Sequence, residues 1–275
     1  MNSRALPILT ESDKKLPYYC LGAGSDWEQE PVNCPNGYFY QFIYSVKGEG
    51  ELRTNEQTFR VGEGNAMLLF KGVGHEYFAR SSAWITHWVV FDGQLVEHFL
   101  KQTIGIDTSC VIHVAKPHVF LSNIHALIEM EKSVVPLKSL KNSSLTYSLL
   151  LDILQYTSRN PNSSVASQYS RLASLFSYIE QNYHKPLVLD DLAAVVGITP
   201  QHLCSVFKKT TDSRIFQYIH SVRIQKSKEL LLQSPLLPIK EIAQLVGFEH
   251  VNYYCSIFKK LEHISPTEYR RMYTG

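Results

Sequence analysis

Leu-Ala-Ala-Val-Val-Gly at residues 192–197 runs on into Cys-Ser-Val-Phe-Lys-Lys at 204–209, and Ile-Ala-Gln-Leu-Val-Gly at 242–247 runs on into Cys-Ser-Ile-Phe-Lys-Lys at 255–260. In each stretch an apolar helix ends at a glycine turn and a second helix closes on a basic pair, the pattern of a helix-turn-helix. One copy alone is compatible with ordinary helix packing. Two copies about 50 residues apart, with 12 and 13 residues between the starts of their two halves, imply two devices for entering successive major grooves of DNA.

The second helix of each copy divides by period. Over 200–210, Leu203, Val206 and Phe207 form the inward stripe and leave Gln201, His202, Cys204, Ser205, Lys208 and Lys209 outward. Over 251–261, Tyr254, Ile257, Phe258 and Leu261 point inward, leaving Asn252, Tyr253, Cys255, Ser256, Lys259 and Lys260. Base reading falls to the N-terminal part of such a helix. Gln201 and Asn252 can pair bidentately with adenine, and Ser205 and Ser256 can donate or accept. The lysines lie further along and suit phosphates. Cys204 and Cys255 read first as small half-buried residues and second as base contacts.

The rest of the chain supports a two-part protein. Its 275 residues are 44% hydrophobic and 19% charged, an ordinary globular composition too long for one typical domain. The net charge of +2 is unevenly placed: residues 168–275 hold 13 Lys+Arg against 9 Asp+Glu, and residues 1–167 hold 14 against 16. The basic excess lies with the repeat, where phosphate contacts need it. Five widely spaced cysteines without a CxxC pair suggest reduced thiols in a cytoplasmic protein. Neither a secretory start nor an apolar run of membrane-spanning length is visible.

From about residue 17 to 92 the signal is of strands: 38–46, 51–54 and 58–61 lie between glycine turns, as in a sandwich or barrel. Trp84, Thr86, Trp88 and Val90 alternate with Ile85, His87, Val89 and Phe91, so this last strand has two apolar faces. After Asp92-Gly93 the period becomes helical, through Leu95, Phe99 and Leu100, then Phe120, Ile124, Leu127 and Ile128. A helix over 143–157 carries Leu145, Leu149, Ile153 and Tyr156 on one stripe, fit to pair with a second copy or to pack on its own barrel. Residues 157–164, Thr-Ser-Arg-Asn-Pro-Asn-Ser-Ser, read as a flexible linker. Helices follow at 168–183, 189–196, 200–210, 213–232, 239–246, 251–261 and 266–273. The fold class is α+β and multidomain: a barrel over 1–92, a helical dimerisation region and linker over 93–165, and an all-helical domain with both helix-turn-helix units over 166–275.

Residues 168–275 resemble the DNA-binding domain of the AraC/XylS family of transcription regulators. The resemblance rests on Arg223-Ile224 with Leu230-Leu231, Ile242-Ala243 with Val246-Gly247-Phe248, Phe258-Lys259-Lys260, and Ser265-Pro266-x-x-Tyr269-Arg270. Relatives usually have Arg where this chain has Ser205 and Ser256, and Gly and Pro where it has Asp212 and Arg214. The missing arginines point to an operator richer in A·T, or read more by shape. Gly48-Glu49-Gly50, Gly62-Glu63-Gly64 and Gly72-Val73-Gly74-His75-Glu76-Tyr77 resemble the cupin-type effector-binding domain of the same family, with Lys71 where proline is usual.

The resemblance implies an effector-responsive DNA-binding regulator, an activator, with Tyr77, Thr86 and Trp88 at pocket positions and His75 at the rim. Its partners would be double-stranded DNA, a small-molecule effector of the carbohydrate class, RNA polymerase and a second copy in a homodimer. The stretch through Pro7 could fold over the pocket as an arm. Strand 38–46 lacks the His-x-His pair that metal-dependent cupin enzymes use, and His75 alone cannot hold a catalytic metal. No cofactor and no enzymatic activity are expected. The alternative is a ligand-independent regulator whose barrel serves only oligomerisation.

Overall fold

The computed structural model describes residues 3–133, 137–159 and 164–274. Its backbone divides into two compact units, Met1–Ser167 and Gln168–Gly275.

The first unit is built on the strands β1 (Ser3–Ala5), β2 (Tyr19–Glu28), β3 (Val32–Cys34), β4 (Tyr40–Lys47), β5 (Gly50–Thr54), β6 (Gln57–Val61), β7 (Asn65–Leu69), β8 (His75–Ala79), β9 (Ile85–Asp92), β10 (Cys110–Val114) and β11 (Thr157–Ser158). They form one sheet in the order β1-β2-β9-β4-β7-β10-β11 and a second in the order β3-β8-β5-β6. The large sheet is apolar on both faces because its strands alternate between two cores. Phe42, Leu68, Val89 and Phe91 pack against α2 (Pro117–Lys132) and α3 (Lys138–Tyr156), through Phe120, Ile124, Leu127, Leu149 and Ile153. Ile43, Met67, Leu69 and Trp84 face inward and meet Leu52, Val61 and Tyr77 of the small sheet.

Three expectations for this unit need correction. The span 93–165 is not wholly helical. Val96–His98, α1, runs into a wider turn over Phe99–Ile104, and Cys110–Val114 then returns to the large sheet beside β7. The helix expected over 143–157 begins at Lys138 and ends at Tyr156; of the two uses open to its stripe, Leu149 and Ile153 take packing on the barrel, fully buried against the unit's own sheet. Of the expected linker, Thr157 and Ser158 pair with β10. Residues 160–163 lie outside the described residues.

The second unit is helical: α4 (Val165–Arg171), α5 (Ala173–Asn182), α6 (Leu189–Val195), α7 (Pro200–Thr211), α8 (Ile215–Gln233), α9 (Ile239–Leu245), α10 (Val251–Glu262) and α11 (Pro266–Thr274). The helix expected at 168–183 breaks at Leu172, whose φ of −98° and ψ of 3° leave the helical basin and carry its side chain into the core. Two cores result. Leu175, Ile179, Leu192, Leu203 and Phe207 close the first and Ile242, Val246, Phe248, Tyr254 and Phe258 the second. Helix α8 serves both, giving Ile215, Ile219 and Val222 to one and Ile224 and Leu231 to the other. It is therefore apolar on more than one side, and its 19 residues make a rigid spacer of about 28 Å.

Candidate DNA interface and effector pocket

Each helix-turn-helix is set by a glycine and closed by a left-handed residue. Gly197 and Gly247, at φ +67° and +88°, turn the chain between α6 and α7 and between α9 and α10. At the far end, Asp212 and His263 take φ +52° and +65°, and each amide donates to the carbonyl of the lysine four residues back, Lys208 or Lys259. The repeat thus extends to backbone conformation. Asp212, a non-glycine residue, occupies that basin at some conformational cost.

The recognition helices present the expected faces. Gln201, His202, Cys204, Ser205, Lys208 and Lys209 are all exposed on α7, while Leu203 and Phe207 are fully buried. On α10, Asn252, Tyr253, Ser256, Lys259 and Lys260 are exposed, Cys255 is half-buried, and Tyr254 and Phe258 are buried. Leu261 departs from its inward assignment and is 41% exposed. The Tyr269 ring from α11 covers Phe258 edge-on at 5.6 Å and closes the core before the last turn. Thr199 caps α7 through its side-chain oxygen, which accepts from the His202 amide at 3.3 Å. The lysines stand in the last turns, where helix carbonyls favour cations.

Tyr253 is held more firmly than its exposure suggests. Its ring meets His220 edge-on at 5.6 Å and Phe248 at 6.0 Å. Arg223 of α8 lies over Phe248, its charge centre 5.5 Å from the ring centroid, and donates to the carbonyls of Tyr183 at 2.8 Å and Lys185 at 2.9 Å. The guanidinium thereby joins the end of α5 to the second helix-turn-helix. No sequence pattern places His220 or Arg223 near the reading face, because their proximity to Tyr253 is purely tertiary.

In the first unit, the four expected effector positions lie on the strands that bound the inner core. Tyr77 from β8 packs there, its ring edge-on to Trp84 at 6.4 Å, and burial pushes its hydroxyl pKa up. His75 stacks on Tyr77 at 6.0 Å and is 4% exposed. Its Nδ1 lies 3.1 Å from the Val73 carbonyl, and its buried Nε2 has no hydrogen-bond partner among the described residues. Thr86 is fully buried and donates to the Gln29 side chain at 3.0 Å. Trp88 is half-buried and edge-on to Trp27 at 6.3 Å. A β-carbon at Gly24 would come within 2.5 Å of the Trp88 ring, so the strand opposite Trp88 requires glycine. Strand β1 pairs with β2 at Arg4↔Gly24, and Arg4 lies over Trp27 at 5.6 Å, so the N-terminal stretch borders the two tryptophans.

A DNA-binding transcription regulator is the class this pair of readers and this barrel define. The family description of a helix-turn-helix domain matches residues 192–272, and that of an AraC-like ligand binding domain matches residues 18–150. Among curated proteins, the Msm operon regulatory protein of Streptococcus mutans is 26% identical over 241 residues, covering 86% of this chain and 84% of its own length. The lactose operon transcription activator of Staphylococcus xylosus is 26% identical over 257 residues, covering 88% and 90%. The raffinose operon transcriptional regulatory protein of Pediococcus pentosaceus is 21% identical over 243 residues, covering 87% and 86%. The chain belongs to the AraC family of transcription regulators, proteins that bind DNA and are not enzymes. No described helix is long and apolar enough to cross a membrane.

Proposed function

We propose that the protein is a carbohydrate-responsive activator that binds its operator through α7 and α10. The reading is carried by the inner face of the barrel, where His75 stacks on Tyr77 and its buried Nε2 has no hydrogen-bond partner among the described residues, with Thr86 and Trp88 on the strand β9 that also bounds this core. Aromatic faces suit the C–H faces of a sugar ring, and a lone polar nitrogen suits a hydroxyl. The names of the lactose and raffinose operon regulators support the ligand class.

In this reading Gln201, Cys204, Ser205, Asn252, Tyr253, Cys255 and Ser256 face the bases, and Lys208 and Lys259 the phosphates. The protein works in the cytoplasm as a homodimer that contacts RNA polymerase. A second copy would use α3 residues left outside the core, Leu140 at 51% and Tyr147 at 41% exposure. The domain scheme is a barrel, a dimerisation region and a DNA-binding part.

Thermal unfolding of the full chain against a panel of mono-, di- and trisaccharides tests the proposal. A true effector at 100 times its Kd adds about 2.7 kcal/mol to the stability of the state it binds. Trp88→Ala and His75→Ala are expected to abolish that shift. A second reading, a ligand-independent regulator, draws on the filling of the inner core by Ile43, Leu52, Val61, Met67 and Leu69, all 2% exposed or less. It is favoured if no sugar shifts the transition.

A further inference from the structure

A cleft of about 670 Å³ lies between the two halves of the second unit. Helix α8 lines it with Phe216, His220 and Arg223, the loop before α6 with His184, and the start of α10 with His250 and Tyr253. Its size is that of a ligand site.

The character of the cleft is cationic on an aromatic base. His220 stacks on Phe248 at 5.7 Å. The Arg223 guanidinium makes no ion pair among the described residues, and its two hydrogen bonds go to uncharged carbonyls. The rest of its five donors remain for another acceptor. Burial and the Arg223 charge both hold the His220 pKa down. Glu249 acts on Arg223 through space without pairing with it, and a half-buried cation hydrogen-bonded only to carbonyls is complemented by an anion. The position narrows the source of that anion. His250 and Tyr253 stand at the N-terminal end of α10, the end a major groove receives. Phe216 and His220 stand in the first half of α8, which follows directly on α7. Between two readers set in successive major grooves passes the sugar–phosphate backbone.

We propose that this cleft is a phosphate site, which takes a backbone phosphate of the DNA between the two recognition helices and holds it with Arg223, His220 and His250. The inference rests on α7 and α10 being the groove readers. The groups facing His220 are Arg223 on its own helix, Tyr253 and His250 from α10, Glu249 from the preceding turn and His184 from the loop before α6. Glu249 is the only carboxylate among them. A phosphate entering beside it favours the protonated His220 imidazole, so the contact strengthens as the solution is made more acidic.

The test is fluorescence anisotropy of the full chain on operator and random duplexes, over a salt series, at one pH below and one above the histidine range. The double variant H220Q/H250Q is expected to weaken both duplexes alike by about tenfold at the lower pH and hardly at all at the higher. Each lost phosphate contact flattens the salt dependence by about 0.9 in log–log slope. Unchanged affinity and slope in that variant at both pH values overturn the proposal. Phenyl phosphate that binds the cleft without displacing DNA overturns it as well, by giving the site to a free small anion. N252A keeps the two readings apart. If it loses operator preference while H220Q/H250Q loses nothing, the cleft assignment fails alone; if it leaves preference intact, the reader assignment fails.

Discussion

Gly247 presses its bare α-carbon against the carbonyl of Tyr183, so closely that a β-carbon would stand 2.7 Å from the oxygen and 2.9 Å from that of His184. The contact joins the turn of the second helix-turn-helix to the end of α5, beside the Arg223 hydrogen bonds to the same segment. The corresponding Gly197 has nothing within 4 Å of that position. Equal in the repeat, the two glycines do different work.

G197A should therefore destabilise the second unit by about 1–2 kcal/mol, the penalty for an alanine in the left-handed basin. G247A bears that strain and a collision with two backbone carbonyls, and should lose at least twice as much. Urea unfolding of both variants measures the difference, and equal losses would mean the contact does not hold the halves together.

The readers make a sequence-dependent prediction. N252A and Q201A should each weaken operator binding by about 1–3 kcal/mol while leaving random DNA nearly unaffected, because bidentate adenine contacts carry base information and phosphate contacts do not. Competition binding on the two DNAs at fixed salt checks it. Equal loss on both would reassign these residues to the backbone.

The thiols should separate by environment. Burial pushes Cys20 up to about 12 and Cys110 up to about 11, which leaves almost no thiolate near neutrality, whereas Cys204 is exposed on α7. Iodoacetamide should modify Cys204 well before Cys20 or Cys110, and operator DNA should protect Cys204. Peptide mass mapping with and without DNA gives the answer, and labelling indifferent to DNA would take α7 out of the groove.

Acid should loosen the first unit through its buried imidazoles. Burial holds His75 and His87 below the usual histidine value, and His87 Nδ1 accepts the Asp26 amide hydrogen at 3.0 Å, which requires that nitrogen to be unprotonated. With both folded values depressed, the unfolded chain takes up protons first. Stability is then intact above about pH 6.5 and is lost as pH falls from there through the lower folded values. H87N preserves an acceptor near Nδ1 but cannot titrate, and should show a smaller acid loss in denaturant unfolding. An identical loss would place the acid sensitivity elsewhere.

The local text of this chain determined a good deal. The twofold run of small and apolar residues at 192–209 and 242–260 settles the helices, the turns and which side faces out, because a helix period fixes direction from spacing alone. The alternation around Trp84–Phe91 likewise announces a strand buried on both faces. What the period could not show is which body covers each apolar stripe. Leu149 and Ile153 are as apolar in a dimer seam as in a core, and only the packing of α3 on its own sheet assigns them. Strand Cys110–Val114 is too short to outweigh the helical runs on either side, and it exists because β7 offers it an edge. The same holds at the DNA-binding unit. Sequence spacing alone made the two recognition helices equivalent, whereas tertiary contact gave the second one an anchored Tyr253, a clamped turn at Gly247 and a cationic cleft, since those depend on residues 30 to 70 positions away that meet only when the chain is folded.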